Sequence, residues 1–472
     1  MKRPNILILY TDQQRWDALG VNGNDEIITP NLDALAARGC NFSHHFVQNP
    51  VCMPSRVSMF SSQYPSSLGI TRMGVPVPED TLTLPQALKQ YGYRRANIGK
   101  LHFLPHANRD HTLPHPSYGF DHLEIADEPG VYEDAYRAWA RARAPEQMDA
   151  ISAGVPPGTR VWQEALGIED DIVHRGDPKG RFDFAGPIPC AADDNLTHSA
   201  FVGERTIEFI RQARDEPFLC IAGFYSPHAP WIVPQSYLDL YDASALSIPS
   251  FPPEIDRQRP AAPDALYSDD QLRGARHGYY AMISEVDDYV GRILAALEAC
   301  GKRDETIVVF TSDHGEWLGE HLRYGKGYPA PDVVSRVPLI IDAPGMPAGG
   351  EYEGLAEAVD IVPTLLELAA IPQPSIMQGE SLAGVLRGDG DARRKDAALT
   401  EAAGWKSLRS PQFQYLIHID GRECLWDLAT DPGAYQDLAE LREYQPELAR
   451  CRKLLLTRLL AMERPLPRTW AY

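Results

Sequence analysis

The sequence predicts an α/β protein: a large mixed, mostly parallel β-sheet flanked by helices, with a smaller C-terminal α+β subdomain. Several short segments are continuously apolar, as strands buried on both faces of a parallel sheet are. Segments with helical periodicity alternate with them along the chain. Polar residues follow the predicted strands directly, and open α/β sheets bind ligands beyond the carboxyl ends of their strands.

The first predicted strand covers residues 5–10, an apolar run close to the N-terminus. A helix over residues 30–38 follows, because Thr29 is a suitable N-cap, Pro30 fits the first helical position and Gly39 fits the end. Further strands are predicted over 95–99, 218–224 and 306–311, and long helices over 203–214, 274–300 and 359–370. Strands and helices that alternate in this way predict a doubly wound sheet.

Residues 104–190 are rich in Pro, His, Gly and Asp and show little periodicity. They predict long loops over one end of the sheet, where substrate selectivity often resides. The region holds several ring side chains: Tyr118, Phe120, His122, Tyr132 and Trp139. These rings could line an aryl or quaternary-amine pocket. We expect most of them to pack the loops onto the body instead.

The pattern changes again after the Ile-Pro-Gln-Pro segment at 371–374. A strand-like piece over 413–419 precedes an amphipathic helix over 446–462. We therefore predict a catalytic domain over 1–372 and a C-terminal α+β subdomain over 373–472. The leucines of the last helix are expected to pack on their own domain, although they could also form an interface in a homo-oligomer.

The charge of the chain limits its partners. Its 472 residues carry a formal net charge of −20, so nucleic acid and other polyanions are unfavourable partners. A small anionic ester remains possible, because a pocket can be locally positive within an acidic protein.

The seven cysteines are scattered, without the spacing of a zinc ribbon or a disulfide framework. The N-terminal apolar run is too short for a signal peptide, and no stretch approaches the roughly 18 apolar residues of a membrane helix. The sequence therefore predicts a cytoplasmic protein with reduced thiols and no membrane partner.

Polar side chains follow four of the predicted strands and should meet at one edge of the sheet. They are Asp12 and Gln13, Lys100 and His102, His228, and Asp313 and His314. Asp12, Gln13, Asp313 and His314 together suit a hard divalent cation; calcium is favoured, and the imidazole makes manganese the alternative. Any one of these residues could be a loop cap or a polar turn, but the set favours a metal site.

Cys52-Met53-Pro54-Ser55-Arg56 is the most informative short segment. Pro54 suggests that Cys52 lies near a helix N-terminus, where backbone N–H groups favour an anion. A lone cysteine is more often a buried structural residue, and a thiolate nucleophile of lowered pKa is a second alternative. Arg56 on the next helical turn would assist either chemistry.

This segment resembles the C-x-P-S-R signature of the sulfatases, a family of the alkaline phosphatase superfamily. Three more segments are similar to sulfatase motifs: Gly-Lys-Leu-His at 99–102, Asp-His-Gly-Glu-Trp-Leu-Gly-Glu-His at 313–321 continuing to Gly-Lys-Gly at 325–327, and Leu-Trp-Asp-Leu at 425–428 with Asp-Pro at 431–432. The similarity runs from about residue 5 to residue 438. It implies an alkaline-phosphatase-like fold and hydrolysis of sulfate monoesters to inorganic sulfate and an alcohol or phenol.

The resemblance also implies the roles of individual residues. A formylglycine-generating enzyme would oxidise Cys52 to formylglycine, whose hydrate would be the metal-bound nucleophile. The metal would be held by Asp12, Gln13, Asp313 and His314. Arg56 and Lys100 would stabilise the hydrate, and His102 would contact its second hydroxyl. His228 and Lys326 would bind the ester and assist the leaving alcohol.

Two departures keep an alternative open. Many sulfatases have two aspartates where this chain has Asp12 and Gln13, and an asparagine in place of His314. The Asp-Gln and Asp-His pairs resemble the branch with choline sulfatases and phosphonate monoester hydrolases, so a phosphonate monoester or phosphodiester hydrolase is the alternative. Lys100 and His102 favour the sulfatase, because those phosphonate hydrolases have uncharged hydroxyl residues there. A catalytically silent binding protein would be expected to have lost a polar member of this set, and all are present.

Overall fold

The computed structural model describes residues 3–105, 113–151, 186–262, 265–389 and 395–463. Its strands are β1 (Asn5–Thr11), β2 (Cys40–Phe46), β3 (Arg94–Gly99), β4 (His122–Ile125), β5 (Ile188–Pro189), β6 (Phe218–Gly223), β7 (Ile232–Val233), β8 (Thr306–Ser312), β9 (Leu339–Asp342), β10 (Gly350–Glu357), β11 (Ala398–Ala402), β12 (Trp405–Arg409), β13 (Phe413–His418) and β14 (Glu423–Asp427). Eight strands form one sheet in the order β10-β2-β9-β8-β1-β6-β3-β4, in which only β9 is antiparallel to its neighbours. The predicted mixed, mostly parallel sheet is confirmed.

Thirteen α-helices lie within the described residues, and several of them pack on the two faces of this sheet. They are α1 (Pro30–Arg38), α2 (Cys52–Ser61), α3 (Pro65–Leu68), α4 (Leu84–Leu88), α5 (Ala135–Arg143), α6 (His198–Gln212), α7 (Gln235–Leu238), α8 (Pro253–Asp256), α9 (Asp269–Ala299), α10 (Asp332–Ser335), α11 (Ile361–Leu368), α12 (Ala383–Arg387) and α13 (Gln445–Met462). None of the helices in these ranges is both long and apolar enough to cross a membrane.

Burial on both faces explains why the sequence of strand β1 is apolar. All seven residues are buried, because alternate side chains enter different cores. Ile6 and Ile8 pack with residues of α2 and α11, whereas Leu7 and Leu9 pack with residues of α1, α6 and α9. A strand covered on both faces has no side that needs polar residues.

Thr29 is the N-cap of α1, Pro30 is the first residue of the helix and Gly39 follows its end, as predicted. Thr29 makes no side-chain capping bond; its Oγ1 instead accepts the Gly20 N–H at 2.9 Å. The free N–H groups of Asn31 and Leu32 donate to the carboxylate of Asp287 on α9, at 3.1 and 2.8 Å. A carboxylate distant in sequence thus satisfies the helix start, and local sequence rules cannot anticipate it.

The described part of the 104–190 region contains more regular secondary structure than predicted. Its described residues include strand β4 at the sheet edge and helix α5, which continuous loops would lack. Four of the five rings noted in the sequence are buried, namely Tyr118, Phe120, Tyr132 and Trp139, whereas His122 is half-buried. These four therefore pack the region onto the body, as expected for most of the five.

The C-terminal part contains a separate antiparallel sheet, β11-β12-β13-β14, packed against α13. Leu455 of α13 enters that core, whereas Leu456 and Leu460 are 60% and 58% exposed. The carboxylate of Glu357 binds Lys395 at 2.6 Å and also pairs with Arg458 of α13. This buried ion cluster attaches α13 to the end of β10.

An ion pair anchors the edge strand β4. Arg205 of α6 donates from Nε and Nη2 to the two carboxylate oxygens of Glu124, each at 2.7 Å. Burial opposes ionisation of Glu124, but hydrogen bonds from His122 and Arg205 outweigh it and lower its pKa to about 2. The strand next to Lys100 and His102 is therefore held by a carboxylate that must be ionised.

Glu124→Gln is expected to lower the free energy of unfolding by on the order of 2–3 kcal/mol at pH 7. Because the folded-state pKa is depressed, this stability is present above the unfolded pKa of roughly 4.3 and is lost as pH falls towards 2. Urea unfolding of wild type and variant at several pH values measures the difference. If the difference in the free energy of unfolding between wild type and Glu124→Gln stayed constant from pH 7 to pH 3, Glu124 would not be the ionised partner described above.

Candidate active site

Four parallel neighbouring strands end at the same edge of the sheet, and each delivers polar residues there. Asp12 and Gln13 follow β1, Asp313 follows β8, Lys100 follows β3, and His228 follows β6 after a short segment. The β3 and β6 ends approach closely at Gly99, whose φ is +91°; a Cβ there would lie 2.1 Å from a backbone oxygen. This close approach brings the Lys100 turn against the neighbouring strand.

Cys52 is the first residue of helix α2, as the following proline indicated. Its side chain is 2% exposed and points at the strand ends. The Sγ atom lies 3.2 Å from His314 Nε2 and 3.7 Å from Asp12 Oδ1. Lys326 Nζ approaches the same sulfur at 2.6 Å. The structure thus places Cys52 at the centre of the polar residues that the sequence singled out.

Two cations neutralise the carboxylates behind Cys52. Arg56 donates from Nε to Asp313 Oδ2 at 2.7 Å and is completely buried. Lys100 pairs with Asp12 Oδ2. Both cations are therefore fixed by carboxylates, so they add positive charge beside the sulfur without long flexible side chains in solvent.

Lys326 contacts both Cys52 and His228. Lys326 Nζ lies 3.1 Å from His228 Nε2, so the two can share a proton. His228 Nδ1 lies 2.6 Å from the Ala229 carbonyl oxygen and 3.0 Å from the Tyr225 hydroxyl. A carbonyl oxygen can only accept, so Nδ1 carries the hydrogen and Nε2 presents its lone pair to Lys326.

Burial and the close approach of charged groups shift the pKa values of several site residues. Burial opposes ionisation of Asp12, but Lys100 and the other positive charges around it together outweigh burial and hold the pKa of Asp12 well below its ordinary value. Burial and the adjacent Lys326 charge hold the pKa of His228 well below its usual range. Burial and Asp12 would raise the pKa of Cys52, yet the positive charges around the thiol, with Lys326 the strongest, together lower it.

The residues fit a divalent cation. One oxygen or nitrogen atom each from Asp12, Asp313 and His314 lies within 4.8 Å of the others and of the Cys52 sulfur. The Nδ1 of His314 faces the Gly315 carbonyl at 2.9 Å, so Nε2 turns its lone pair towards the two carboxylates. The Oε1 of Gln13 is buried and lacks a hydrogen-bond partner among the described residues. A buried set of carboxylate, imidazole and amide donors of this kind is suited to hold a divalent cation.

His102 is positioned by a residue that the sequence did not reveal. Its backbone N–H and that of Leu101 both donate to Asp127 Oδ1, each at 2.9 Å. His102 has a φ of +56°, so these bonds stabilise a conformation that a histidine seldom adopts. Asp127 follows β4, and recognising that strand would have been the signal for it.

Tyr225 and Glu316 also contact site residues, and the sequence did not single them out. Tyr225 contacts the His228 ring, and Lys100 Nζ lies 4.8 Å from the centre of the Tyr225 ring. Glu316 is completely buried and contacts the Gln13 amide. Glu316 lies within the 313–321 segment that resembles a sulfatase motif, and its burial is what distinguishes it.

Two family models match the chain. The one described as Sulfatase covers residues 4–371, which include Cys52, Lys100, Asp313 and Lys326. The one described as N-sulphoglucosamine sulphohydrolase, C-terminal, covers residues 319–461.

Similar proteins match over almost the whole chain. An arylsulfatase of Clostridium perfringens is 28% identical over 98% of this chain and 95% of that protein. A choline-sulfatase of Rhizobium meliloti is 27% identical over 93% of this chain and 83% of that protein. The crystal structure of a phosphonate monoester hydrolase of Agrobacterium radiobacter aligns with a TM-score of 0.81 at 26% identity, covering 97% of this chain and 96% of that one.

Proposed function

Because the chain belongs to the sulfatase family and is a sulfuric ester hydrolase, we propose that it cleaves small sulfate monoesters with residue 52, oxidised to formylglycine, as its nucleophile. The observation that carries the proposal is the convergence on Cys52 of Lys326, His314 and Asp12. A structural cysteine would be surrounded by apolar side chains, whereas this one is surrounded by groups that bind and move charge.

Two kinds of chemistry come from groups that the chain would acquire. Hydration of formylglycine at position 52 would supply two hydroxyl groups on one carbon, a nucleophile for sulfur and a second group whose proton can be removed for release of sulfate. A divalent cation held by Asp12, Gln13, Asp313 and His314 would acidify a hydroxyl and attract the sulfuryl oxygens. Calcium suits the oxygen ligands, and manganese is the alternative.

The remaining steps depend on this chain's own side chains. Arg56 and Lys100, fixed by Asp313 and Asp12, offset negative charge that accumulates beside residue 52. Lys326 binds a sulfuryl oxygen or the ester oxygen and, with His228, supplies the proton that the leaving alcohol takes up. His102 accepts the proton of the second hydroxyl when sulfate is released.

Maturation and domain organisation belong to the same proposal. Oxidation of Cys52 requires a formylglycine-generating enzyme, which must reach this residue before α2 is buried in the fold, because Cys52 is 2% exposed. We assign the catalytic domain to residues 1–372 and the C-terminal subdomain to residues 373–472. The separate β11-β14 sheet supports this division.

A phosphonate monoester or phosphodiester hydrolase is the second candidate, and the similarity to the Agrobacterium radiobacter enzyme favours it. Sulfate monoesters and these phosphorus esters both present one negative charge on a tetrahedral centre, so the cations of the site attract either. Lys100 and His102 favour sulfate.

Turnover of matched aryl esters separates the two functions. We expect kcat/KM to be larger for para-nitrophenyl sulfate than for para-nitrophenyl phenylphosphonate or bis(para-nitrophenyl) phosphate, with measurable activity on all three. The cation should be supplied in excess, and the modified fraction of residue 52 should be measured on the same preparation. A larger kcat/KM for a phosphorus ester would reverse the assignment.

A further inference from the structure

Glu316 is a buried carboxyl group to which the proposed chemistry gives no task. Its Oε2 contacts the side-chain nitrogen of Gln13. Its Oε1 accepts the backbone N–H of Leu318 at 3.1 Å and that of Gly325. Glu316 thereby connects the end of β1 with the turn that carries Lys326.

Both backbone groups of Gln13, its N–H and its carbonyl oxygen, are hydrogen-bonded. The orientation of its side-chain amide must therefore be determined by another contact. The Gln13 N–H donates to Asp313 Oδ1 at 3.1 Å, and its carbonyl oxygen accepts the Tyr279 hydroxyl at 2.6 Å. A carboxylate only accepts hydrogen bonds, so it selects the NH₂ end of the amide. The amide oxygen must then point away from Glu316, and it is the buried atom without a partner among the described residues.

We propose that Glu316 is a positioning residue that orients the Gln13 amide so that its oxygen, not its nitrogen, faces the cation site formed with Asp12, Asp313 and His314. The inference rests on the proposed metal site. An aspartate presents an oxygen whichever way it is turned, whereas a glutamine has two chemically different ends and needs a neighbour to select one.

Glu316→Gln tests this orientation directly. The N–H groups of Leu318 and Gly325 keep the side-chain oxygen of the new amide on their side, so its NH₂ group takes the place of the oxygen that faced Gln13. Two NH₂ groups cannot bond to each other, and Gln13 is expected to flip and turn its own nitrogen towards the cation. We expect the dissociation constants of Ca²⁺ and Mn²⁺ to rise roughly 10- to 100-fold.

The double variant Glu316→Gln with Gln13→Glu is the matched control. The new carboxylate at position 13 accepts from the new amide with one oxygen and presents the other to the cation. We expect it to recover most of the lost affinity. Gln13→Glu alone places two carboxylates against each other, so it should bind the cation less well than the double variant does.

The measurement is isothermal titration of chelator-treated full-length protein with Ca²⁺ or Mn²⁺, together with the thermal midpoint of each variant without metal. Neither readout depends on formylglycine or on turnover. Equal affinity in wild type and Glu316→Gln would overturn the inference. Equally weak cation binding by Glu316→Gln and by the double variant would also overturn it, because Glu316 would then support only the turn that carries Lys326. Wild-type protein that binds neither ion would refute the metal site, and the inference with it.

Discussion

Cys52→Ala is expected to lower kcat/KM for an aryl sulfate by roughly 10,000-fold or more, the scale of loss when a hydrolase loses its nucleophile. Cys52 lies within 3.2 Å of His314 and 2.6 Å of Lys326, and alanine leaves those groups with nothing to activate. The variant should fold, because the substitution removes one atom from a buried site. Steady-state turnover of para-nitrophenyl sulfate measures the loss.

Cys40→Ala provides the matched control for this prediction. Cys40 is also buried, but it lies on β2, and burial raises the pKa of its thiol to about 11. We expect this variant to keep wild-type activity. Hydrolysis by Cys52→Ala at the wild-type rate, after repurification against contaminating enzymes, would refute the nucleophile.

The chemical state of residue 52 can be read from the same preparations. Trypsin releases residues 39–56 as one peptide, which contains both Cys40 and Cys52. After denaturation and alkylation, Cys40 should carry the label, while position 52 should have lost its thiol mass and appear as aldehyde or hydrate. Activity should increase in proportion to the modified fraction. Full activity with both residues alkylated would favour a thiolate nucleophile instead.

Lys326→Ala is expected to have the second-largest effect, and its size should depend on the leaving group. Lys326 contacts both Cys52 and His228, so it lies where the ester oxygen must take up a proton. For an alkyl sulfate, whose alcohol leaves poorly, we expect kcat to fall roughly 100- to 10,000-fold. For para-nitrophenyl sulfate the loss should be much smaller, because that leaving group needs little protonation.

His228→Ala and the double variant Lys326→Ala with His228→Ala complete the test. Two residues that share one proton act as a unit, so the double variant should lose little more activity than the more damaging single variant. The comparison uses kcat for a series of aryl and alkyl sulfates with leaving groups of increasing pKa. An equal loss for every leaving group would show that Lys326 provides only charge.

The sequence by itself determined the layered fold and most of the site. Short, continuously apolar runs such as β1 are typical of strands covered on both faces, and their alternation with helices predicted the parallel sheet. Because parallel strands end at one edge, Asp12, Lys100 and Asp313 had to meet there. Pro54 likewise placed Cys52 at the start of a helix. These inferences depend on periodicity and order along the chain, which the sequence contains directly.

The tertiary structure decided the residues that position the site. Asp127 holds the His102 turn, Glu316 contacts the Gln13 amide, and Asp287 caps α1. Each is a carboxylate that accepts hydrogen bonds from a segment adjacent to it only in the folded chain. Their roles follow from burial and from the N–H groups left unpaired at turns and helix ends, not from periodicity. The sequence shows which polar groups are present, whereas the tertiary packing determines which distant residues become their hydrogen-bond partners.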